Sequence, residues 1–237
     1  MIELALRELN GREVLIAWPR GEDARALPCV VFYHGFTSSK LVYSYFAVAL
    51  AGAGFRVIMP DALDHGARFS GDDAGRMQRF WPILVNNFHE FPALRRAIID
   101  EGWLLDDRLG VGGASMGGMT ALGLMARHPE IKSVASLMGS GYLSTLSQTL
   151  FPSPHVPEEL GEWDVGHQLT ALATRPLLLW HGTEDDVVPA AESFRLQQAL
   201  SEKGLDTQLT CRWQNGVRHR ITPEAVEEAV SFFRQYL

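Results

Sequence analysis

The clearest indication of the fold comes from the segment Arg108-Leu-Gly-Val-Gly-Gly-Ala-Ser-Met-Gly-Gly-Met-Thr-Ala-Leu-Gly-Leu-Met-Ala-Arg127. Its first five residues predict a strand, and the residues after Ser115 predict a helix. Between them, residues 113–117 match the pattern G-x-S-x-G, which places a serine on a sharp turn from strand to helix. Such a turn lifts the hydroxyl clear of the sheet, and the helix N-terminus favours developing negative charge there. Ser115 is therefore the predicted nucleophile.

Outward from this segment, strand-like and helix-like stretches alternate along the chain. Consecutive apolar residues, as in Pro28–His34 and Pro176–Trp180, are typical of strands buried on both faces. Asn10-Gly11 between two alternating runs predicts a hairpin at the start of the chain. Because parallel strands are joined by right-handed crossovers, the pattern predicts an α/β fold. We expect a mostly parallel, eight-stranded central sheet with helices on both faces.

No repeat or linker divides the chain, so residues 1–237 are predicted to form a single domain. The least regular stretch is 139–161, which contains three prolines and little periodicity, and it predicts a short lid-like insertion. Residues 77–100 are mostly helical in pattern. Pro82 and Pro92 should not both fit one regular helix, so we expect a kink or two helices there.

A serine hydroxyl needs a base to take its proton, and that base needs an acid to orient it. Chains with this strand–serine–helix pattern order the three groups as serine, acid, histidine. His219 lies between the last predicted strand and the last helix, so it is the predicted base. The acid should follow the strand 176–180, where three carboxylates crowd together. We favour Asp185, with Asp186 as the alternative and Glu184 as the weakest candidate.

An oxyanion needs two backbone N–H donors. Met116, directly after the nucleophile, should supply one. The loop His34-Gly-Phe-Thr-Ser-Ser-Lys40 follows a strand, and Gly35 would let the N–H of Phe36 face the same point. The alternative interpretation is a simple polar loop between strand and helix.

Charge and composition exclude several classes of partner. The formal net charge is −7 and no basic run is present, so neither nucleic acid nor an anionic membrane is expected as a partner. No stretch reaches the ~18 apolar residues needed to span a bilayer. The start of the chain lacks a basic segment followed by an apolar run, which predicts a cytoplasmic protein. The sequence does not predict an oligomeric state.

Metal binding is not predicted. Cys29 and Cys211 are too far apart for a metal-type spacing. Asp61, Asp64 and His65 lie together after a strand, but such loops are more often hydrogen-bonded turns. We expect Arg68 to pair with one of these aspartates.

Several runs carry a closer resemblance, which spans nearly the whole chain. Together with the motifs above, residues 32–39, 60–71, 112–117 and 216–223 resemble the small enterobacterial YjfP-type esterases of the α/β-hydrolase family. The resemblance implies the α/β-hydrolase fold, hydrolysis of small carboxylic esters with short acyl chains, and no cofactor. It also implies a catalytic triad of Ser115, Asp185 and His219, with an oxyanion hole formed by the N–H groups of Phe36 and Met116.

Other functions stay open at this point. An acyl-thioesterase, or another acyl hydrolase, would use the same three side chains. A ligand-binding protein without activity is a further alternative, because a fold does not determine a function. The presence of a serine, an acid and a histidine in the expected order favours an enzyme.

Overall fold

The computed structural model describes residues 1–150 and 152–237. Within these residues eight strands form one sheet, and they are β1 (Ile2–Leu9), β2 (Arg12–Pro19), β3 (Leu27–Tyr33), β4 (Arg56–Pro60), β5 (Leu104–Ala114), β6 (Ser133–Leu137), β7 (Leu177–Gly182) and β8 (Leu209–Gln214). Their spatial order is β1-β2-β4-β3-β5-β6-β7-β8. β2 runs antiparallel to both β1 and β4, and every other neighbouring pair is parallel. The predicted mostly parallel, eight-stranded sheet is confirmed.

Helices cover both faces of this sheet. The α-helices found in the same described residues are α1 (Ser44–Gly52), α2 (Asp73–Gln78), α3 (Phe80–Asp100), α4 (Met116–Arg127), α5 (Leu143–Leu146), α6 (Leu169–Ala173), α7 (Ala191–Ser201) and α8 (Pro223–Tyr236). α1 and α8 pack on one face, and α3, α4, α6 and α7 pack on the other.

The apolar runs of the central strands follow from this double covering. In β3, Val30 and Phe32 enter the core under α1 and α8, while Cys29 and Val31 enter the core under α3 and α4. Successive side chains of a strand point to opposite faces, so a strand between two cores needs apolar residues at consecutive positions.

The predicted hairpin at the start of the chain is present. Leu9 pairs with Arg12, and the two residues between them, Asn10 and Gly11, have φ angles of 52° and 72°. A two-residue turn of type I′ needs positive φ at both central positions, which Asn and Gly tolerate best.

Residues 77–100 belong to two helices, which is one of the two predicted alternatives, but the boundary between them does not fall at either proline. α3 contains both Pro82 and Pro92, and the break from α2 falls before them, at Arg79. Pro82 lies in the first turn of the helix, where an N–H has no partner within the helix, so its missing donor costs little. Only Pro92 removes a hydrogen bond from the helix interior.

The irregular stretch 139–161 contains no long helix in its described residues. It contains α5, which is four residues long, and the start of a 3₁₀ segment, Glu158–Trp163. Phe151, which belongs to the predicted lid, lies outside the described residues. The role of this stretch as a lid stays a prediction.

Parallel strands bring distant residues to one edge of the sheet. Phe36, Ser115, Asp185 and His219 follow β3, β5, β7 and β8, respectively. The carboxyl ends of parallel strands meet at the same edge, which is where open α/β sheets place their ligand sites. In the part of the chain described, no helix has the length and apolar character needed to cross a bilayer.

Candidate active site

Ser115 occupies the turn between β5 and α4 in a conformation that few residues adopt. Its φ and ψ angles are 57° and −118°. Its N–H donates to the carbonyl of Leu137 at 2.8 Å, and its carbonyl accepts from the N–H of Met119 at 3.0 Å. The next strand and the following helix therefore both hold this strained turn in place.

The two glycines of the motif are required by close backbone packing. A Cβ atom on Gly113 would lie 2.3 Å from the carbonyl oxygen of Gly117 in α4. A Cβ atom on Gly117 would lie 2.1 Å from the carbonyl oxygen of Tyr33 in β3. Both distances are far below van der Waals contact, so any side chain at either position would push the helix away from the sheet.

The imidazole of His219 bridges Ser115 and Asp185. Its Nε2 atom lies 2.9 Å from Oγ of Ser115, and its Nδ1 atom lies 2.8 Å from Oδ2 of Asp185. An ionised carboxylate can only accept, so Nδ1 carries the proton and the lone pair of Nε2 faces the serine hydroxyl. The arrangement is one in which Nε2 can take a proton from Ser115.

The side chain of Asp185 is completely buried and is surrounded by hydrogen-bond donors. Its Oδ1 atom accepts from the N–H groups of Val187 and Val188, both at 2.9 Å. Nε2 of the buried His181 lies 3.2 Å from Oδ2. Burial raises the pKa of Asp185, but hydrogen bonds from His181, His219 and the backbone outweigh it and hold the pKa well below its usual range. The carboxylate is therefore ionised at neutral pH.

The structure separates the three carboxylates that the sequence left open. Asp186 is half exposed, and its Oδ1 atom accepts from the backbone N–H of His219 at 3.4 Å. Glu184 is exposed, and its contact with this region is a backbone bond from its N–H to the carbonyl of Val217. Asp185 is the carboxylate that reaches the imidazole.

The predicted oxyanion donors lie beside Ser115. Met116 is the first residue of α4, so its N–H has no acceptor within the helix. A Cβ atom on Gly35 would lie only 3.6 Å from Cβ of Ser115, so the backbone leading to Phe36 passes directly over the serine. The next residue, Thr37, has a φ of 61°, and its N–H donates to Nε2 of His65 at 2.9 Å.

Beneath this loop lies an ion pair that the sequence did not reveal. Lys40 is only 1% exposed, and its ammonium group pairs with the carboxylates of Asp61 and Glu13. The N–H of Lys40 also donates to Asp61 at 2.8 Å. A lysine in a polar loop is normally expected to be exposed to solvent, and no sequence pattern predicts that Lys40 is buried.

The expected pairing of Arg68 with an aspartate is wrong. The Arg68 guanidinium pairs with Glu90 of α3 through two bonds of 2.9 Å, and it reaches only the main-chain carbonyl of Asp61. The Asp61 carboxylate is already paired with Lys40, and Asp64 is paired with Arg79.

Aromatic side chains flank the loop that contains Phe36. The ring of Phe36 meets the ring of Phe80 edge to face at 4.9 Å, and Phe80 meets Trp81 in the same way at 4.7 Å. Phe88, farther along α3, stacks on Trp163 at 4.2 Å. The N-terminal end of α3 thus forms an apolar wall beside the predicted oxyanion loop.

Known proteins resemble this chain in both sequence and structure. The profile of the prolyl oligopeptidase family matches residues 43–237. The chain is 62% identical to esterase YjfP of Escherichia coli (strain K12), over the full length of both. It is 32% identical to the putative esterase YitV of Bacillus subtilis (strain 168), again over the full length of both.

Among solved structures, TT1662 from Thermus thermophilus superposes with a TM-score of 0.80 at 20% identity, covering 99% of this chain and 98% of the other. The likeness in structure supports the fold, and the likeness in sequence confirms the resemblance to YjfP-type esterases. The chain therefore belongs to the prolyl oligopeptidase family, has the α/β-hydrolase fold and is a hydrolase that acts on esters.

Proposed function

We propose that this protein is a serine carboxylesterase that cleaves small, short-chain acyl esters through an acyl-enzyme on Ser115. The observation that carries the proposal is the imidazole of His219, which lies 2.9 Å from the serine Oγ and 2.8 Å from a buried aspartate oxygen. These are the contacts that a general base needs toward its nucleophile and toward the acid that orients it.

In the first half of the reaction, Oγ of Ser115 attacks the ester carbonyl carbon while Nε2 of His219 takes the hydroxyl proton. The carbonyl oxygen becomes an oxyanion, which the N–H groups of Phe36 and Met116 would stabilise. The imidazolium then gives its proton to the departing alkoxy oxygen, the carbon–oxygen bond breaks, and the alcohol leaves. Asp185 stabilises the imidazolium throughout this half-reaction.

In the second half, water replaces the alcohol. Nε2 of His219 takes a proton from the water as its oxygen attacks the acyl-enzyme carbonyl. The tetrahedral intermediate uses the same two N–H donors. When it collapses, the proton on His219 returns to Oγ of Ser115 and the carboxylic acid is released. No cofactor is required in these reaction steps.

The preference for short acyl chains is supported by the small size of the structures around the site. The described part of 139–161 contains a four-residue helix and part of a 3₁₀ segment. These elements are much smaller than a cap of several helices that could enclose a long acyl chain.

We also propose a cytosolic location. Cys29 is buried in β3 and Cys211 lies on β8, and both are free thiols. Unpaired thiols fit a reducing compartment.

The proposal is tested by labelling with a fluorophosphonate probe and by mutation. The wild type should bind one probe molecule, and peptide mapping should place it on Ser115. Ser115→Ala should lose labelling and at least about 10³-fold in kcat for p-nitrophenyl acetate. Ser144→Ala is the matched control, because Ser144 belongs to the irregular stretch and should leave both readouts unchanged. Labelling that persists in Ser115→Ala would refute the assignment.

A further inference from the structure

Two buried imidazoles join the loop after β3 to the loop after β4. Nε2 of His65 accepts from the N–H of Thr37 at 2.9 Å, and Nε2 of His34 accepts from the N–H of Ala62 at 3.0 Å. The two rings lie 5.3 Å apart. Each loop therefore supplies a histidine acceptor to the backbone of the other.

The hydrogen bonds determine the tautomer of both rings. Nδ1 of His34 lies 2.7 Å from the carbonyl of Gly35, and Nδ1 of His65 lies 2.8 Å from the carbonyl of Leu63. A carbonyl only accepts and a backbone N–H only donates, so each ring carries its hydrogen on Nδ1 and accepts at Nε2. Both rings are neutral, because protonation would place a hydrogen on Nε2, and Nε2 would then face the backbone N–H as a second donor.

His65 contacts two consecutive residues of the predicted oxyanion loop. It holds the N–H of Thr37, whose φ of 61° lies in a region that β-branched residues rarely occupy. Its ring also lies 5.1 Å from the ring of Phe36. A conformation of this kind persists only where surrounding contacts impose it, and His65 supplies contacts on both sides of the peptide that links these two residues.

We propose that His65 is a positioning residue for ester hydrolysis, which as a neutral acceptor for Thr37 holds the N–H of Phe36 toward the oxyanion. The inference rests on the proposed function, since it assumes that Phe36 is an oxyanion donor. His65 does not touch the substrate. It fixes the peptide group between Phe36 and Thr37, and through the backbone of Phe36 it restrains the preceding peptide group, which contains the donor N–H. A small error in that orientation is costly, because an oxyanion donor stabilises the transition state only at hydrogen-bond distance.

The surroundings of His65 favour its neutral form. Burial lowers the pKa of His65, and the positive charge of Arg76 on α2 lowers it further. The hydrogen bond to the Leu63 carbonyl and the charges of Asp64 and Asp61 act in the opposite direction but do not outweigh burial. The Asp61 charge is itself paired with Lys40. The neighbouring His34 faces it from the end of β3, and burial lowers the pKa of that ring to about 4.

Three variants test the proposal. His65→Met removes the acceptor but keeps an apolar side chain of similar length. His65→Gln places an amide oxygen near the position of Nε2 and cannot be protonated. His128→Met is the matched control, because His128 is also a partly buried histidine, packed on Phe91 at the far end of α4.

We expect His65→Met to lose about 10- to 100-fold in kcat with a change in KM below about threefold. The affinity for a trifluoromethyl ketone, which forms a tetrahedral adduct with serine, should fall by the same factor as kcat/KM. His65→Gln should recover most of the activity, and His128→Met should match the wild type. Equal activity of His65→Met and wild type, or a loss confined to KM, would overturn the proposal.

The pH profile gives a readout that a purely structural role would not change. A protonated His65 donates at Nε2 and can no longer accept from the N–H of Thr37. In the wild type, kcat should therefore fall more steeply on the acid side of the pH profile than a single ionisation allows. His65→Gln should show a shallower acid limb than the wild type, because it lacks the ionisation of His65. If His65→Met does not fold, this comparison decides alone, and superimposable profiles would overturn the proposal. A Ser115→Ala variant that stays active would instead refute the proposed function itself.

Discussion

Replacing Asp185 by asparagine exchanges one carboxylate oxygen for an NH₂ group, although the groups that contact this carboxylate are hydrogen-bond donors. Oδ1 accepts from the N–H groups of Val187 and Val188, and Nδ1 of His219 lies 2.8 Å from Oδ2 and 3.0 Å from Oδ1. An amide offers one oxygen and one NH₂ group. The backbone donors cannot change, so the amide oxygen must take the Oδ1 position and the NH₂ group must face the imidazole of His219.

This orientation changes the preferred tautomer of the His219 imidazole. With an NH₂ group at the Oδ2 position, which is the oxygen nearer Nδ1, the tautomer with its hydrogen on Nε2 is favoured, and in that tautomer Nε2 cannot accept the proton of Ser115. The charge that stabilises the imidazolium is lost as well. We expect kcat to fall by about 10³- to 10⁴-fold, which corresponds to about 4–5.5 kcal/mol of transition-state stabilisation.

Asp186→Asn is the matched control, since it makes the same chemical change one residue away. The Asp186 side chain is half exposed, and an amide oxygen can still accept the N–H of His219, so kcat should change by less than about threefold. Steady-state hydrolysis of p-nitrophenyl acetate measures both variants, and thermal unfolding shows that each is folded. If Asp186→Asn loses more activity than Asp185→Asn, the reasoning from geometry is refuted.

Three further predictions concern substrate size, acid stability and helix capping. Across p-nitrophenyl esters from acetate to palmitate, kcat/KM should be highest for acetyl and butyryl esters, and a steady rise toward long chains would contradict the short-acyl proposal. Burial raises the pKa of Asp64, but hydrogen bonds from Ser70 and Arg79 outweigh it and leave the pKa at about 2. Asp64→Asn should therefore lower the free energy of unfolding at pH 7. The difference in the free energy of unfolding between wild type and variant should shrink as the pH falls from the unfolded pKa of ~3.9 toward 2. Urea unfolding at several pH values measures this difference, and a difference that does not change with pH would contradict the prediction. Thr222 caps α8 by accepting from Ala225, so Thr222→Ala should cost ~1 kcal/mol and lower the Tm by ~2–4 °C, whereas an unchanged Tm would show that the cap is dispensable.

The features that the sequence determined are those set by local backbone needs and by hydrophobic pattern. The strained turn at Ser115 requires small neighbours, so Gly113 and Gly117 mark it within five residues. The hairpin at Asn10-Gly11 is marked in the same way by two residues that tolerate positive φ. Runs of apolar residues predicted the buried strands because alternate side chains enter two separate cores.

The sequence did not locate the boundary between the two helices of residues 77–100. The two prolines predicted a kink or two helices there, but the boundary lies at Arg79 and α3 contains both prolines. Pro82 fits because a proline in the first turn of a helix loses no hydrogen bond. The cost of a proline therefore depends on its distance from the start of the helix, which the pattern did not locate.

Only the tertiary structure decided which polar groups meet. Asp185, Asp186 and Glu184 are neighbours on one turn, and the pairing of β7 with β8 determines which of them reaches His219. The contacts of Lys40 with Asp61, and of Thr37 with His65, join two loops that are more than twenty residues apart in the chain. Lys40 and Thr37 carry no sequence signal of their partners, because their hydrogen bonds arise only when the strands before each loop are placed side by side.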